Sequence, residues 1–372
     1  MTALYVGLMS GTSMDGIDAV LVDCYTEKPH LVATHSRAWP DSVRQQLEQA
    51  KQLDDKAVFE LDELDSVLAE QFAEATLELL AIAGTATEEV VAIGSHGQTI
   101  RHCPQAPDPF SLQLGNGQRI ADLTGIQTVY DFRRADIMAG GEGAPLAPAF
   151  HNAVLRSSSE NRCVVNIGGI ANITVLPADT DLAVTGYDTG PGNSLMDSWT
   201  RQHRSMPYDD NGSWARSGKV DSDLLARLRA DEYFLQPPPK STGFEYFNQS
   251  WLCRYDIDTI RAEDLQATLC ELTVSTIVDA IQAHTISIQR VLVCGGGVHN
   301  SFCMERLQDN LSGITVESTE NYGVHPDWVE AMAFAWLAKR NLEGKPGNVP
   351  SATGAADRVV LGTLATANSR LA

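Results

Sequence analysis

The sequence predicts an α/β protein of two similar domains facing a cleft, and three observations carry that expectation. The chain has 372 residues, more than one typical core holds, so its length favours two domains. Apolar runs lead into glycine-rich turns three times: Leu4-Tyr5-Val6-Gly7-Leu8-Met9 into 10–16, Val164-Val165-Asn166-Ile167 into 168–172, and Val291-Leu292-Val293-Cys294 into 295–297. After the first two turns the chain returns through Ile17-Asp18-Ala19-Val20-Leu21-Val22-Asp23 and Ile173-Thr174-Val175-Leu176, so one hairpin unit occurs twice.

The elements follow in order. Residues 4–23 form the first hairpin. A third strand is expected near Leu31-Val32-Ala33, helices across roughly 41–83, and strands at 90–94 and 127–130. The acidic stretch Asp54 to Asp65 interleaves its carboxylates with Phe59, Leu61 and Leu64 at helical spacing and reads as a solvated helix face. The region from Ala139 to Pro148 is rich in glycine and proline and reads as the connection. The second hairpin, from Cys163, leads to a strand near Leu182-Ala183-Val184, a helix from about Ser194, a helix near 263–284, and strands at 290–294 and 314–317. Pro237-Pro238-Pro239-Lys240-Ser241-Thr242-Gly243 excludes regular structure and marks a loop inserted in the second domain, read as scaffolding ahead of direct substrate contact. Val359-Val360-Leu361 is expected to return to the first domain. The domains are drawn as 1–134 with about 345–372, and 135–344 with an insertion near 200–250.

Composition narrows the function. A formal net charge of −21 repels nucleic acid and anionic lipid, so neither is expected as a partner. Seven cysteines without a C-x-x-C support neither a disulfide framework nor a structural zinc site. No basic n-region, apolar h-region or transmembrane-length run is present, which reads as a cytoplasmic protein.

Glycine turns after strands bring backbone N–H groups close to an anion, so each turn is a candidate phosphate cradle. None fits the Walker A pattern or completes G-x-G-x-x-G. Thr12 and Ser13 carry hydroxyls that suit phosphate oxygens and ordinary turns alike. Asp15 either caps its own turn or holds the water shell of a metal ion near the phosphates. Cationic residues are scarce in these motifs, so a bound nucleotide would lean on backbone amides and a divalent ion. Asp188, in Tyr187-Asp188-Thr189-Gly190-Pro191-Gly192-Asn193, is placed after an apolar strand and before a helical run, which suits a general base. It could equally bond the amides of its own turn. Ser95-His96-Gly97-Gln98-Thr99 offers uncharged donors that fit a sugar's hydroxyls, or a structural histidine. Asp131-Phe132-Arg133 invites the same two readings. Asp327 and Glu330 imitate a capping box at the head of a helix.

The motif strings Gly7-Leu8-Met9-Ser10-Gly11-Thr12-Ser13-Met14-Asp15-Gly16, Asn166-Ile167-Gly168-Gly169-Ile170-Ala171-Asn172, Asp188-Thr189-Gly190-Pro191-Gly192-Asn193 and Cys294-Gly295-Gly296-Gly297-Val298-His299-Asn300 closely resemble those of the anhydro-N-acetylmuramic acid kinases. The likeness runs from residue 4 to Pro350-Ser351-Ala352-Thr353-Gly354-Ala355. It implies two related actin-like ATPase (RNase H-like) domains that close over ATP, and the divalent ion expected from the scarcity of cationic residues is Mg²⁺. Gly11, Thr12, Ser13, Met14, Asp15, Gly16, Ile17 and Asp18 would form one phosphate turn and Asn166, Gly168, Gly169 and Asn172 the other. Gly295, Gly296, Gly297 and Asn300 would lie on the adenosine side, and no metal ligands are assigned. The family phosphorylates O6 of 1,6-anhydro-N-acetylmuramic acid while water opens the anhydro bond, a step of bacterial peptidoglycan recycling that yields N-acetylmuramic acid 6-phosphate and ADP. Asp188 would deprotonate that water, Glu330 would hold the sugar near it, and His96, Gly97 and Gln98 would border the sugar pocket. A homodimer is admitted but not specified.

Overall fold

The structure is a computed structural model that describes residues 2–11, 14–54, 57–105, 107–238 and 240–368. Thr12 and Ser13, expected in the first phosphate turn, therefore lie outside the described residues. Its strands are β1 (Leu4–Ser10), β2 (Gly16–Asp23), β3 (His30–Ala38), β4 (Val90–Cys103), β5 (Phe110–Leu114), β6 (Thr128–Tyr130), β7 (Arg162–Ile167), β8 (Ile170–Leu176), β9 (Thr185–Pro191), β10 (Arg290–Cys294), β11 (Thr315–Ser318) and β12 (Thr363–Ala365). The chain divides into two compact units, 1–154 with 328–372, and 155–327. These cuts differ from the boundaries drawn on the sequence: residues 135–154 and helix Val329–Leu342 belong to the first unit.

In the first unit the strand order is β12-β6-β4-β1-β2-β3, with β5 added to β4. β1, β2 and β3 run antiparallel, and β4 and β6 continue the sheet in parallel. In the second unit the order is β11-β10-β7-β8-β9. There β7, β8 and β9 are antiparallel, and β10 and β11 run parallel to β7. The order β3-β2-β1-β4-β6 is thus repeated as β9-β8-β7-β10-β11, and the duplicated hairpin extends to a duplicated five-strand sheet.

Alternation along the first hairpin sends Val6, Leu8, Ile17, Ala19 and Leu21 into a core shared with Leu68, Phe72 and Leu79 of helix Asp62–Ala83. Gly7 and Gly94 sit in β1 and β4 because the backbone of helix Val329–Leu342 lies directly on them. A Cβ at Gly7 would run into the Ala331 carbonyl, and one at Gly94 into that of Phe334. In the second unit Val165, Ile173 and Val293 pack with Trp199, Leu269 and Ile277, the last two from helix Ala262–Gln282.

Three expectations shift. The strand placed at 182–184 is instead β9, in register Ile173↔Tyr187, which buries Tyr187 and leaves Leu182 exposed. Glycines at 186 and 190 lower the local strand propensity and hide it. β4 runs on to Cys103, so 95–99 are strand body and not a loop after it. The acidic stretch breaks into a short turn at Ala57–Glu60 and a helix from Asp62, with Leu64 buried but Phe59 exposed. The return of the chain end to the first unit is made by β12, antiparallel to β6.

Candidate active site

In the second unit, strand pairing sets three polar residues in a row. Asn166 pairs with Asn172, and Asn172 with Asp188, so the side chains project from one face of the sheet, each half-buried. Asp188 therefore lies within β9 and not beyond the end of a strand.

The glycine turns clasp one another. The amides of Gly192 and Ser194 donate to the Gly169 carbonyl at 2.9 and 3.2 Å, and that of Asn193 to Gly168 at 2.8 Å. The Asn193 side chain donates to the Ile167 carbonyl at 2.9 Å. A Cβ at Gly168 would meet only the Ile170 carbonyl oxygen, at 3.5 Å, and one at Gly296 only Asn193 Nδ2, at 3.8 Å. Both positions thus border open space, which a phosphate cradle needs and an ordinary packed turn does not. Gly169, Gly295 and Gly297 are different: a Cβ there would strike the Phe244 ring, Asn166 Oδ1 and Ile167 respectively. Asn300 caps helix Ser301–Asn310, its Oδ1 accepting from the Cys303 amide at 3.0 Å.

Asp188 is held by the proline-bearing insertion. Its Oδ2 accepts from the Thr242 amide at 3.0 Å, and its own amide donates to the Lys240 carbonyl at 3.1 Å. Burial raises its carboxyl to about 7, with the Thr242 amide pulling it down and Glu245 adding to the rise. None of the bonds to Asp188 comes from the 189–193 turn. A half-buried carboxylate poised near neutrality is a competent general base.

In the first unit, the turn after β1 is braced from β4. Gln98 is fully buried; its Oε1 accepts from Ser10 Oγ at 2.7 Å and its Nε2 donates to the Gly11 carbonyl at 3.1 Å. Ser10 Oγ also lies 2.6 Å from the Gly16 carbonyl, so its single proton is shared between that oxygen and Gln98 Oε1. Met14 is buried with φ at 56°, so the turn holds a non-glycine residue in the left-handed region. Ile17 is core, Asp15 is exposed, and Asp18 Oδ1 accepts from Ser36 Oγ at 2.8 Å.

His96 is buried and both ring nitrogens are engaged: Nδ1 bonds the Gly97 carbonyl at 2.8 Å and Nε2 meets Arg133 Nη2 at 2.9 Å. The proton therefore sits on Nδ1 and the Nε2 lone pair accepts from the guanidinium. Burial, then the Arg133 charge, push this imidazole down to about 3, so it stays neutral. Arg133 also donates to the Gly143 carbonyl at 2.8 Å. Burial lowers its guanidinium to about 10, while Glu330 and Asp136 favour its charge. Gly97, at φ 74°, fits where a Cβ would meet the Leu114 carbonyl.

The capping box does not form. Helix Val329–Leu342 begins after Trp328 without a side-chain cap, and Asp327 instead takes His299 Nε2 at 2.7 Å. Glu330 is thereby left accessible to solvent in the first helical turn. Protein around it raises its carboxyl above the ordinary value, Arg133 opposing and Asp18 reinforcing the rise. Arg133, noted in the sequence only as an ambiguous strand-end residue, is thus the charge that faces Glu330. Asn193 stands in the motif string after Asp188 without an assigned role, and the Thr242 amide carried no sequence signal beyond a Pro-rich loop.

Two units on one strand order, each with a glycine-bearing motif after its first strand, define a duplicated α/β protein with candidate anion-binding turns. The family model for anhydro-N-acetylmuramic acid kinase matches residues 3–367. A relative of that name from Xanthomonas campestris pv. campestris (strain 8004) is 51% identical over 366 residues, 97% of each chain. Another, from Coxiella burnetii (strain Dugway 5J108-111), is 47% identical over 361 residues, 97% of this chain and 96% of that one. Among solved structures, an activator of the 2-hydroxyisocaproyl-CoA dehydratase from Clostridium difficile with bound ADPNP aligns at a TM-score of 0.48 and 12% identity, over 92% of this chain and 96% of that one. That likeness is too distant to bear on mechanism. The chain belongs to the anhydro-N-acetylmuramic acid kinase family and is an enzyme of that kind, a nucleotide-using kinase.

Proposed function

We propose that this kinase couples two bond changes: water opens the 1,6-anhydro bond of anhydro-N-acetylmuramic acid while the released O6 takes the γ-phosphoryl group of ATP. The observation that carries this reading is the Asp188 carboxylate, half-buried, raised to about 7 and fixed by the Thr242 amide. Asp188 takes a proton from water, the water oxygen bonds C1, the C1–O6 bond breaks, and O6 displaces ADP from the γ-phosphorus. The products are N-acetylmuramic acid 6-phosphate and ADP, which suits peptidoglycan recycling in the cytoplasm.

Glu330 is the proposed sugar ligand, kept in place by the Arg133 charge, and Gly97 borders the same ligand. His96 and Gln98 serve from behind, His96 by bonding Arg133 and Gln98 by bracing the Ser10–Gly11 turn. Gly11 to Asp18 and Asn166 to Asn172 are the proposed phosphate turns, with Gly295 to Gly297 on the adenosine side. Asn300 supports that last turn as a helix cap. The open faces of Gly168 and Gly296 support the assignment. The carboxylates of Asp15 and Asp18 would supply the oxygen ligands or water contacts that an Mg²⁺ ion accompanying the nucleotide prefers, and such an ion would offset phosphate charge. The protein is proposed to act without nucleic acid or membrane partners, alone or as a homodimer.

The test follows the oxygen. In the anhydrosugar O6 bridges C1 from the β face, so direct attack by water inverts that centre and the first product is the α anomer. Rapid NMR in ¹⁸O-labelled water should show the α anomer first, with label at C1 and none in the phosphate. An initial β anomer, or label in the phosphate, rules the coupled mechanism out.

A further inference from the structure

Among the described residues, the hydrogen bonds that reach Asp188 from outside the β8–β9 pairing come from one segment, Tyr233 to Thr242. The Asp188 amide donates to the Lys240 carbonyl at 3.1 Å, its carbonyl accepts from the Tyr233 hydroxyl at 2.8 Å, and its carboxylate accepts from the Thr242 amide at 3.0 Å. β9 is an edge strand, so these groups would otherwise face outward without strand partners. The segment is itself anchored. Asp231 accepts from the Tyr233 amide at 3.0 Å, the Tyr246 hydroxyl at 2.6 Å and Trp251 Nε1 at 2.8 Å. Lys240 Nζ donates to the Tyr233 carbonyl at 3.1 Å and lies 4.6 Å from the centroid of its ring. Phe247 packs edge-on against that ring at 5.3 Å. Tyr233 is therefore buried, held from several sides, and aimed at the backbone of the proposed base.

We propose that Tyr233 is a positioning residue for Asp188, its hydroxyl locking the β9 edge so that the Thr242 amide meets the carboxylate. The inference rests on the reading of Asp188 as the base. A protein that needed only to cover its sheet edge would require the two backbone bonds; the third bond, to the carboxylate, couples the segment to the chemistry. The charged and titratable groups facing Asp188 are Glu245 and Tyr233 from the segment, Lys240 offering it only a backbone carbonyl, while β8 presents the neutral Asn172.

Tyr233→Phe keeps the ring, its packing and the Lys240 contact and deletes only the hydroxyl. Its kcat should fall roughly tenfold to a hundredfold with KM for ATP unchanged, as for a slightly misplaced catalytic group. The pH at half-maximal kcat should also move upward, because a carboxylate that loses an N–H donor is harder to ionise. Asp231→Asn, which loosens Tyr233 through its backbone, should move that midpoint the same way by less, and serves if Tyr233→Phe does not fold. Thermal melts separate lost stability from lost positioning. An unchanged kcat and midpoint in both folded variants overturns the inference, provided Asp188→Asn is inactive. Normal turnover in Asp188→Asn instead sinks the base assignment itself.

Discussion

Asp188 and His96 show burial acting in opposite senses on two side chains. At Asp188 it favours the protonated acid, so at a carboxyl near 7 the base form is gained as pH rises. The kcat profile should therefore climb through about pH 7, and Asp188→Asn should lower turnover by about 10²–10⁴-fold while nucleotide still binds. Turnover that is flat from acid to neutral pH would send the base role elsewhere. At His96 burial favours the neutral ring, from an ordinary 6.5 down to about 3. The unfolded chain takes a proton below 6.5 and the folded one does not, so this contribution to stability is complete above 6.5 and lost as pH falls toward 3. His96→Gln, which can still accept from Arg133, should lose less of its urea midpoint than the parent between pH 7 and acid. Equal losses would show that His96 is not a source of the acid sensitivity.

Turns and helices make sense of glycines that look alike in the sequence. Gly168 borders open space, whereas Gly169 lies under the Phe244 ring and Gly7 under the Ala331 carbonyl. Gly168→Val should therefore fold with an unchanged melting temperature yet bind ATP much more weakly, as calorimetry can measure. An unchanged affinity would remove that turn from the phosphate site. Gly94→Ala forces a methyl against the backbone of helix Val329–Leu342, which carries Glu330. Overpacking of this kind costs about 1–3 kcal/mol, readable as a lower urea midpoint, and KM for the sugar should rise as the helix shifts. The motif at Pro350–Thr353 is likewise structural: Thr353 Oγ1 and the Asn348 amide both donate to the buried Asp136, at 2.8 and 2.7 Å.

Charge acts on the whole molecule. With 27 basic against 48 acidic side chains, the protein field disfavours a polyphosphate, and the glycine motifs hold no basic cluster to offset it. Catalysis should then require a divalent ion: chelation should abolish turnover and added Mg²⁺ restore it. Full activity after exhaustive chelation would mean that a cationic side chain serves instead. The two-unit architecture was legible because its signals are local. Apolar runs of strand length, glycine turns and a repeated hairpin lie within short stretches of chain, and they foretold both sheets. Family membership was legible for the same reason, since the motif strings are contiguous. The environment of each candidate residue was not legible, because it is made by partners far along the chain. Thr242 is 54 residues from Asp188, and Arg133 is 37 from His96. Composition and spacing determined which residue types stand at the turns; only tertiary packing decided that Asp188 is bound by the insertion and not by its own turn, that His96 is neutral, and that Glu330 is free of a cap. Burial and long-range hydrogen bonds set those states, and neither is a property of a residue and its sequence neighbours.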